Sequence, residues 1–284
     1  MSRIAYVAGQ YLPHRQAAVH IEDRGYQFAD GVYEVIAVTN GQLLDDQLHL
    51  ARLHRSLDEL RIPEPMSDAA LQLVIREVIR RNGVDRGIIY LQVTRGRAPR
   101  EHAFPKTVKP VLVATARRTR PPDPRLGRDG IAVITIPDIR WQRCDIKSVS
   151  LLPNVLGKQQ AREAGAYEAW QVDSEGRVTE GTSTNAWIVL KDGAVVTRAA
   201  DHAILNGVTR LAVLDIMRGE GYRLVERPFT VAEAKAAREA FLTSTTAELL
   251  PVVRIDGEPV ADGQPGPLSR KLREAYLAHA GAPV

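Results

Sequence analysis

The sequence RRTRPPDPRLGRDG at residues 117–130 decides how the chain is divided. Its three prolines and two glycines disfavour regular structure, and its charged residues keep the segment in water. We therefore predict a linker between an N-terminal α/β domain, residues 1–116, and a C-terminal domain, residues 131–284. A chain of 284 residues is long enough for two domains that each bury a core.

The N-terminal half combines strands with two helices. Asn40-Gly41 predicts a tight hairpin turn, because both residues tolerate a positive φ angle. Leucines at helical spacing predict a helix over residues 45–60, and Ser67 can cap a second helix that ends at Asn82. The apolar positions of the first helix are Leu48, Leu53, Leu57 and Leu60. The predicted strands are residues 32–39, 42–44, 87–94 and 110–116.

The C-terminal half also mixes strands and helices. Its predicted strands are residues 131–136, 167–172, 185–190 and 241–244, and its predicted helices are residues 155–164, 209–218 and 267–278. Asp192-Gly193 marks a second hairpin turn. Because strands and helices do not alternate regularly, we predict a mixed α/β (α+β) fold of two domains with the active site between them.

The composition excludes several classes of protein. Hydrophobic residues make up 44% and charged residues 25%, as in ordinary globular proteins. No stretch approaches the roughly 18 uninterrupted apolar residues of a membrane span, and the first residues lack the apolar run of a signal peptide. Cys144 is the single cysteine, which excludes internal disulfides and favours the cytoplasm. A net charge of +4 without a dense basic run argues against nucleic-acid binding, and no metal site is predicted.

Lysine is scarce, with seven residues in the whole chain, and one of them stands out. Lys147 ends the segment IAVITIPDIRWQRCDIK and precedes the apolar Val149, Leu151 and Leu152. An apolar environment would lower the pKa of the amine and free it as a nucleophile. The alternative is a lysine whose charged end simply reaches water at the end of a strand.

Other segments of the second half would complement a nucleophilic lysine. Residues 205–210, LNGVTR, open a helix whose N-terminus suits an anion, and residues 243–246 supply hydroxyl groups. Glu180 lies in TEGTSTN, which is typical of a turn. A lysine that forms a Schiff base with pyridoxal phosphate needs both a phosphate site and an acidic partner for the ring nitrogen. Each segment alone is weak, since such turns and glutamates usually face water.

With these segments in view, the chain resembles the D-amino-acid transaminases, which are class IV (fold type IV) pyridoxal-phosphate aminotransferases. The matching segments are EDRGYQFADGVYEV (22–35), HLARLHRS (49–56), IYLQVTRGRAPREHAFP (89–105), DIRWQRCDIKS (138–148), TEGTSTN (179–185), ILNGVTR (204–210) and LTSTTAEL (242–249). The resemblance implies the two-domain fold type IV architecture, a cofactor-binding C-terminal domain and a homodimer.

The resemblance also implies a role for each matching residue. Lys147 would bind the cofactor as a Schiff base and move the proton between the substrate α-carbon and the cofactor. Glu180 would pair with the ring nitrogen. The phosphate would be held by Arg52, Val208, Thr209 and Thr245. Arg140 and Ser183 would support the ring and its acidic partner, and Leu205 would pack on the ring face.

For the substrate, the resemblance implies that Tyr33, Arg100 and His102 bind the α-carboxylate, the last two from a second subunit, with His49 nearby. If their segment is extended, Arg100 and His102 point the same way. Taken alone, His102 reads as an ordinary loop histidine and Tyr33 as a strand aromatic.

Branched-chain aminotransferases of this fold carry V-[FY]-E-G-[IL]-R where this chain has VYEVIA at residues 32–37, without the glycine and the arginine. This chain has instead the PREH segment at residues 99–102, which belongs to the D-amino-acid enzymes. The resemblance therefore implies exchange between D-amino acids and 2-oxo acids by a ping-pong mechanism. Ala37, where a larger residue is common, leaves the preferred substrate side chain open, and Thr182 and Thr184 replace the usual serines. The alternatives are a branched-chain transaminase, an (R)-amine transaminase, aminodeoxychorismate lyase, and a basic binding protein without catalysis.

Overall fold

A computed structural model describes residues 3–107 and 109–281, so the outer ends of both predicted domains, residues 1–2 and 282–284, lie outside the described residues. The chain separates into two compact units. The first contains Met1–Arg120 and Ile146–Ser150, and the second contains Pro121–Asp145 and Leu151–Val284. The segment with Lys147 is thus grouped with the first unit. The exact domain boundaries stay a prediction.

The first unit is an antiparallel sheet with two long helices. Its strands are β1 (Ile4–Val7), β2 (Gln10–Pro13), β3 (Gly31–Thr39), β4 (Gln42–Leu43), β5 (Gly87–Thr94) and β6 (Val111–Arg118). Its helices are α1 (Arg24–Phe28), α2 (Asp46–Glu59) and α3 (Asp68–Asn82). The described strands follow the order β2-β1-β6-β5-β3-β4, and each pair is antiparallel.

Local sequence signals explain these elements. Asn40 and Gly41 have φ angles of 52° and 70°, which confirms the predicted hairpin between β3 and β4. The hydroxyl of Ser67 accepts a hydrogen bond from the Ala70 N–H and caps α3, as predicted. The predicted apolar face of α2 was wrong at one position: Leu48 is 39% exposed, because it lies on the opposite face from the buried leucines. The buried face of α2 consists of His49, Leu50, Leu53, Ser56 and Leu57.

The second unit is built on a larger mixed sheet. Its strands are β7 (Ile131–Pro137), β8 (Glu168–Val172), β9 (Arg177–Gly181), β10 (Asn185–Val189), β11 (Val195–Thr197), β12 (Leu224–Glu226), β13 (Phe229–Thr230), β14 (Glu239–Ser244), β15 (Glu248–Ile255) and β16 (Glu258–Pro259). Its helices are α4 (Pro124–Asp129), α5 (Leu152–Glu163), α6 (Val208–Gly219), α7 (Val231–Lys235) and α8 (Pro267–His279). The main strand order is β12-β11-β10-β14-β15-β7-β8-β9-β13.

The predicted linker contains regular structure, which corrects the expectation for residues 117–130. Strand β6 extends to Arg118, and α4 begins at Pro124. Asp123 caps α4 by accepting a hydrogen bond from the Arg125 N–H at 3.0 Å. Proline suits the first turn of a helix, because its fixed φ angle is helical and its missing N–H has no partner there. The mixed α/β fold class is confirmed. No helix in the described part of the chain has the length and apolar character to cross a membrane.

Candidate active site

Lys147 lies on an irregular segment beside β3 in the first unit. Its N–H donates to the Ser56 hydroxyl at 3.2 Å, and its carbonyl accepts from the Tyr33 N–H at 3.0 Å. The half-buried side chain places Nζ 4.3 Å from the centre of the Tyr33 ring. Within residues 3–107 and 109–281, no group accepts a hydrogen bond from this amine. Leu152, one of the apolar residues that follow Lys147 in the sequence, is 68% exposed, and the Tyr33 ring is the aromatic surface that Nζ contacts.

Strand β3 presents two chemically different faces. Glu34 lies on the buried face, between Val32 and Ile36, where an acidic residue needs partners. Tyr33 lies on the other, half-buried face and stacks on Tyr90 with ring centres 5.7 Å apart. Burial, with the nearby Tyr33, raises the pKa of Tyr90 to about 12. The alternation of the strand therefore separates a tyrosine pair from a buried carboxylate.

Glu34 binds two predicted site residues of α2. Arg52 donates from Nε to Oε1 at 2.7 Å and from Nη2 to Oε2 at 2.8 Å, and His49 Nδ1 lies 2.7 Å from Oε2. Burial alone would raise the pKa of Glu34, but the charge and hydrogen bonds of Arg52 and the contact with His49 lower it to about 2. An ionised carboxylate only accepts, so His49 Nδ1 carries the hydrogen. Burial lowers the pKa of His49.

These contacts bear on the predicted roles of α2. Arg52 and His49 share a face of the helix, and both are turned to Glu34. The binding of phosphate by Arg52 stays a prediction. Glu34 was not predicted as a site residue, although the sequence carries one signal for it: an acidic residue occupies an inward position of a mainly apolar strand.

Arg100 and His102 come together in the first unit on the ring of Phe28. The Arg100 Cζ atom lies 5.0 Å from the centre of that ring, and the His102 ring lies 5.4 Å from it. Both residues are exposed on an irregular loop. The two side chains that the sequence paired thus share one aromatic neighbour, and their binding of substrate stays a prediction.

Glu180 is in the second unit, on strand β9, and only 7% of it is exposed. The expectation of a turn was wrong there. Arg140 Nη1 donates to Oε1, Asn185 Nδ2 donates to Oε2 at 3.0 Å, and the Leu205 N–H reaches both oxygens at 3.2 Å. Donors to an ionised carboxylate favour its charged form. Asn185, the last residue of the TEGTSTN segment, was missed as a site residue.

Arg140 is itself fixed on several sides. Asp138 accepts from its Nε at 2.9 Å and from its Nη2 at 2.7 Å, and the Thr179 hydroxyl and the Ala203 carbonyl lie 3.2 Å and 3.0 Å from Nη2. Although burial opposes its charge, the pairing with Glu180 and Asp138 raises the pKa of Arg140 above its usual range. A permanent cation therefore stands against Glu180.

The N-terminus of α6 is suited to an anion. Val208 and Thr209 are buried in its first turn. Gly207 is the N-cap residue, and among the described residues no side chain makes a capping hydrogen bond there. The first N–H groups of a helix bind phosphate when no cap uses them. A Cβ atom at Gly207 would collide with Oδ1 of Asn185, which explains the glycine. Thr245 is half-buried in the turn after β14.

Ser183 has a different partner from the one expected. Its hydroxyl donates to Oε2 of Glu168 at 3.0 Å, and the Thr182 hydroxyl donates to Oε1 of the same fully buried carboxylate. Lys158 Nζ is 3.5 Å from Glu168. Glu168 therefore holds the turn that joins β9 to β10, and Ser183 contributes to the surroundings of Glu180 through that turn.

Each unit, taken by itself, contains groups of a kind that pyridoxal phosphate needs. The first unit has an amine without an acceptor among the described residues at Lys147. The second unit has a buried carboxylate at Glu180, which accepts hydrogen bonds from several donors. It also has a helix N-terminus at Val208 without a side-chain cap. An aldehyde, a ring nitrogen and a phosphate require these three kinds of group.

Comparisons with known proteins agree with this chemistry. The family model "Amino-transferase class IV" matches residues 31–255. A D-alanine aminotransferase of Bacillus licheniformis is 43% identical over 267 residues, which are 94% of this chain and 93% of that protein. The corresponding enzyme of Staphylococcus haemolyticus is 43% identical and covers 95% of each chain.

Solved structures show the same fold. A branched-chain aminotransferase of the archaeon Thermoproteus uzoniensis with norvaline has a TM-score of 0.88 at 26% identity and covers 99% of this chain and 96% of its own. A branched-chain amino acid aminotransferase of Escherichia coli has a TM-score of 0.90 at 23% identity, covers 98% and 94%, and supports the fold alone. With its model match and its relatives spanning nearly the whole sequence, the chain belongs to the class IV aminotransferase family.

Proposed function

We propose that this protein is a pyridoxal-5′-phosphate-dependent D-amino-acid aminotransferase. It exchanges an amino group between D-amino acids, such as D-alanine, and 2-oxo acids such as 2-oxoglutarate or pyruvate, by a ping-pong mechanism. It acts as a homodimer in the cytoplasm. The observation that carries this proposal is the similarity of nearly the whole chain to two D-alanine aminotransferases.

The cofactor, when bound, supplies an aldehyde and a ring that accepts electrons. Lys147 would hold the cofactor at its aldehyde through Nζ, and the same amine would take the proton from the substrate α-carbon. Two observations support this role: the amine has no competing acceptor among the described residues, and the Tyr33 ring shields one side of it from water.

Glu180 would hold the ring nitrogen of the cofactor and its proton. The hydrogen bonds from Arg140, Asn185 and the Leu205 N–H fix the position and direction of its carboxylate. The Leu205 side chain would pack on the cofactor ring. Ser183 supports Glu180 through the turn that Glu168 holds. A fixed anion needs no reorganisation as the charge of the ring changes, which favours the reaction.

The start of α6 would hold the phosphate of the cofactor. The N–H groups of Val208 and Thr209, with the hydroxyls of Thr209 and Thr245, supply neutral donors, and the helix dipole favours the negative charge. Arg52 adds a guanidinium charge, and its contact with Glu34 fixes its position. These residues orient the cofactor and perform no proton transfer.

Tyr33, Arg100 and His102 bind the substrate carboxylate, with Arg100 and His102 supplied by the partner subunit and His49 lying nearby. The guanidinium of an arginine can bind a carboxylate through two parallel hydrogen bonds. Ala37 leaves the strand without the arginine of the branched-chain enzymes, so the carboxylate is held on the side of the PREH segment. The side on which it is held determines which hydrogen of the α-carbon meets Lys147.

One other function has an observation in its favour. Solved structures with high TM-scores are branched-chain aminotransferases, so their substrates are the alternative. Initial rates with D-alanine and 2-oxoglutarate should exceed those with L-leucine and 2-oxoglutarate by at least about two orders of magnitude, as two lost contacts to a charged group would require. A faster reaction with L-leucine would refute the proposal in favour of the alternative.

A further inference from the structure

The loop of residues 99–104, which we call the PREH loop, has little structure of its own. It contains no helix or strand, and Arg100, Glu101 and His102 are exposed. In the described part of the chain, no backbone-to-backbone hydrogen bond involves residues 99–107. Its internal contacts are those of the Glu101 carboxylate, which accepts from the N–H groups of His102 and Ala103. Its shape must therefore come from groups outside it.

One buried arginine supplies most of that support. Arg24, the first residue of α1, is 3% exposed. Its Nη1 donates to the Glu101 carbonyl at 2.5 Å and to the Ala103 carbonyl at 3.4 Å, and its Nη2 donates to the His102 carbonyl at 3.3 Å. Its Nε donates to Oδ2 of Asp30 at 2.7 Å. A single guanidinium thus binds three consecutive carbonyls of the loop and one carboxylate.

Asp30 connects Arg24 to a second buried arginine. Arg95 donates from Nε to Oδ2 of Asp30 at 2.8 Å and from Nη2 to Oδ1 at 3.0 Å. It also binds the carbonyls of residues 60–61, and its Cζ atom lies 3.6 Å above the ring of Phe104 at the end of the loop. The loop is therefore held at its middle by one arginine and at its end by another.

The ring of Phe28 completes the support from the other end of α1. It lies 4.9 Å from Cζ of Arg24 and also contacts Arg100 and His102. The backbone of the loop and its two functional side chains are consequently anchored to the same short helix. A change at Arg24 would therefore alter the backbone from which Arg100 and His102 project.

We propose that Arg24, through Asp30 and Arg95, is a positioning residue that sets the spacing of Arg100 and His102 for recognition of the substrate carboxylate, an inference that rests on the proposed function. A buried ion pair is a poor source of stability, because desolvation offsets its attraction. The planar fork of arginine is, however, suited to several fixed acceptors, which a lysine ammonium cannot bind in the same geometry. The network therefore fixes the position of a loop that has little other support.

The test uses the holoenzyme with Arg24→Lys, which keeps a positive charge beside Asp30 but loses the fork. We expect the KM for D-alanine to rise about tenfold with kcat changed by less than about twofold, the pattern of weakened substrate binding. Hydroxylamine reacts with the bound cofactor and has no carboxylate, so its bleaching rate should stay at the wild-type value. Arg97→Lys is the matched control: Arg97 is 64% exposed, adjoins the loop and pairs with Glu22, and this variant should keep the wild-type KM.

An unchanged KM in a folded Arg24→Lys enzyme would overturn the inference. An equal loss toward D-alanine and hydroxylamine would also overturn it, because general loosening of the site would then explain the effect. If Arg24→Lys does not fold, Asp30→Asn carries the same test, since it keeps the shape and removes the charge that joins both arginines. If the wild-type enzyme does not accept D-alanine, the proposed function fails by itself, and the same comparison of KM is made with the amino acid that it does accept.

Discussion

Each unit of the molecule contains a buried glutamate that is bonded to an arginine, and the two glutamates differ in what surrounds them. Glu34 is fully buried, and its described partners Arg52 and His49 lie on one helix. Glu180 is bonded from three separate segments, through Arg140, Asn185 and the N–H of Leu205. The first arrangement stabilises one helix against one strand. The second fixes a carboxylate where three separate segments of the second unit meet, an arrangement that suits a site for a ligand.

The largest effect is expected at Lys147, whose amine we propose as the reactive group of the first unit. Lys147→Ala should reduce transamination by about three to four orders of magnitude, since attachment of the cofactor and transfer of a proton are both lost. Borohydride reduction followed by peptide mapping should label Lys147 in the wild-type protein. Lys191→Ala, an exposed lysine beside a hairpin, is the control and should keep its activity. A label on another lysine would refute the assignment.

The next largest effect is expected at Glu180. Glu180→Gln keeps the shape but removes the anion that holds the ring-nitrogen proton, so kcat should fall about tenfold to a hundredfold, the range for one lost charged hydrogen bond. The cofactor should stay bound, because the proposed phosphate site does not include this residue. Glu34→Gln is the matched variant in the other unit, and its kcat should fall by less. Equal losses of kcat in the two variants would remove the distinction between the two glutamates.

A substitution of Asn185 tests whether the separate segments around Glu180 contribute jointly to stability and activity. Its Nδ2 donates to Oε2 of Glu180 and to the Leu205 carbonyl at 2.9 Å. Asn185→Ala should lower the free energy of unfolding by about 1–3 kcal/mol, the cost of leaving buried polar groups unpaired, with a smaller loss of kcat than in Glu180→Gln. Urea unfolding of the holoenzyme measures the first quantity and initial rates the second. Wild-type values of both would show that Arg140 and the Leu205 N–H are sufficient.

The sequence predicted the parts of the fold that depend on neighbouring residues. The turn at Asn40-Gly41 and the cap at Ser67 follow from local conformational preferences, and the structure contains both. Strand β9 was missed, because the TEGTSTN segment resembles a turn in composition. Leu48 was misplaced because leucine spacing alone does not say which face meets the sheet.

The sequence points to Lys147 and Glu180 because each residue carries its own chemistry, and their roles stay predictions. The candidate site was not predictable where the role depends on contacts between distant parts of the sequence. Arg24 meets the carbonyl of Glu101 across 77 residues, and Asp30 meets Arg95 across 65. No local pattern encodes such contacts, so supporting residues were missed even where their partners were found.

The smallest expected effect is on the stability of the fold at low pH. It distinguishes the buried Glu34 of the first unit from a glutamate on the surface. The pKa of Glu34 is about 2, below its ordinary value of 4.5, because Arg52 and His49 outweigh the opposing effect of burial. A lowered pKa in the folded state means that the unfolded chain takes up the proton first as the pH falls. Glu34 therefore contributes its full stability above about pH 4.5 and loses it between about pH 4.5 and pH 2.

Glu77 provides the control for this pH dependence. Hydrogen bonds from Arg80 and Arg81 also lower its pKa to about 2, but it lies on the surface of α3, where water screens such pairs. Glu34→Gln should unfold at lower urea than the wild type at pH 6, and the difference should shrink as the pH falls from about 4.5 toward about 3. Glu77→Gln should follow the wild type throughout that range. If the difference for Glu34→Gln stays constant with pH, the ionised carboxylate is not what joins β3 to α2, and the contrast with Glu180 would have to be sought in packing alone.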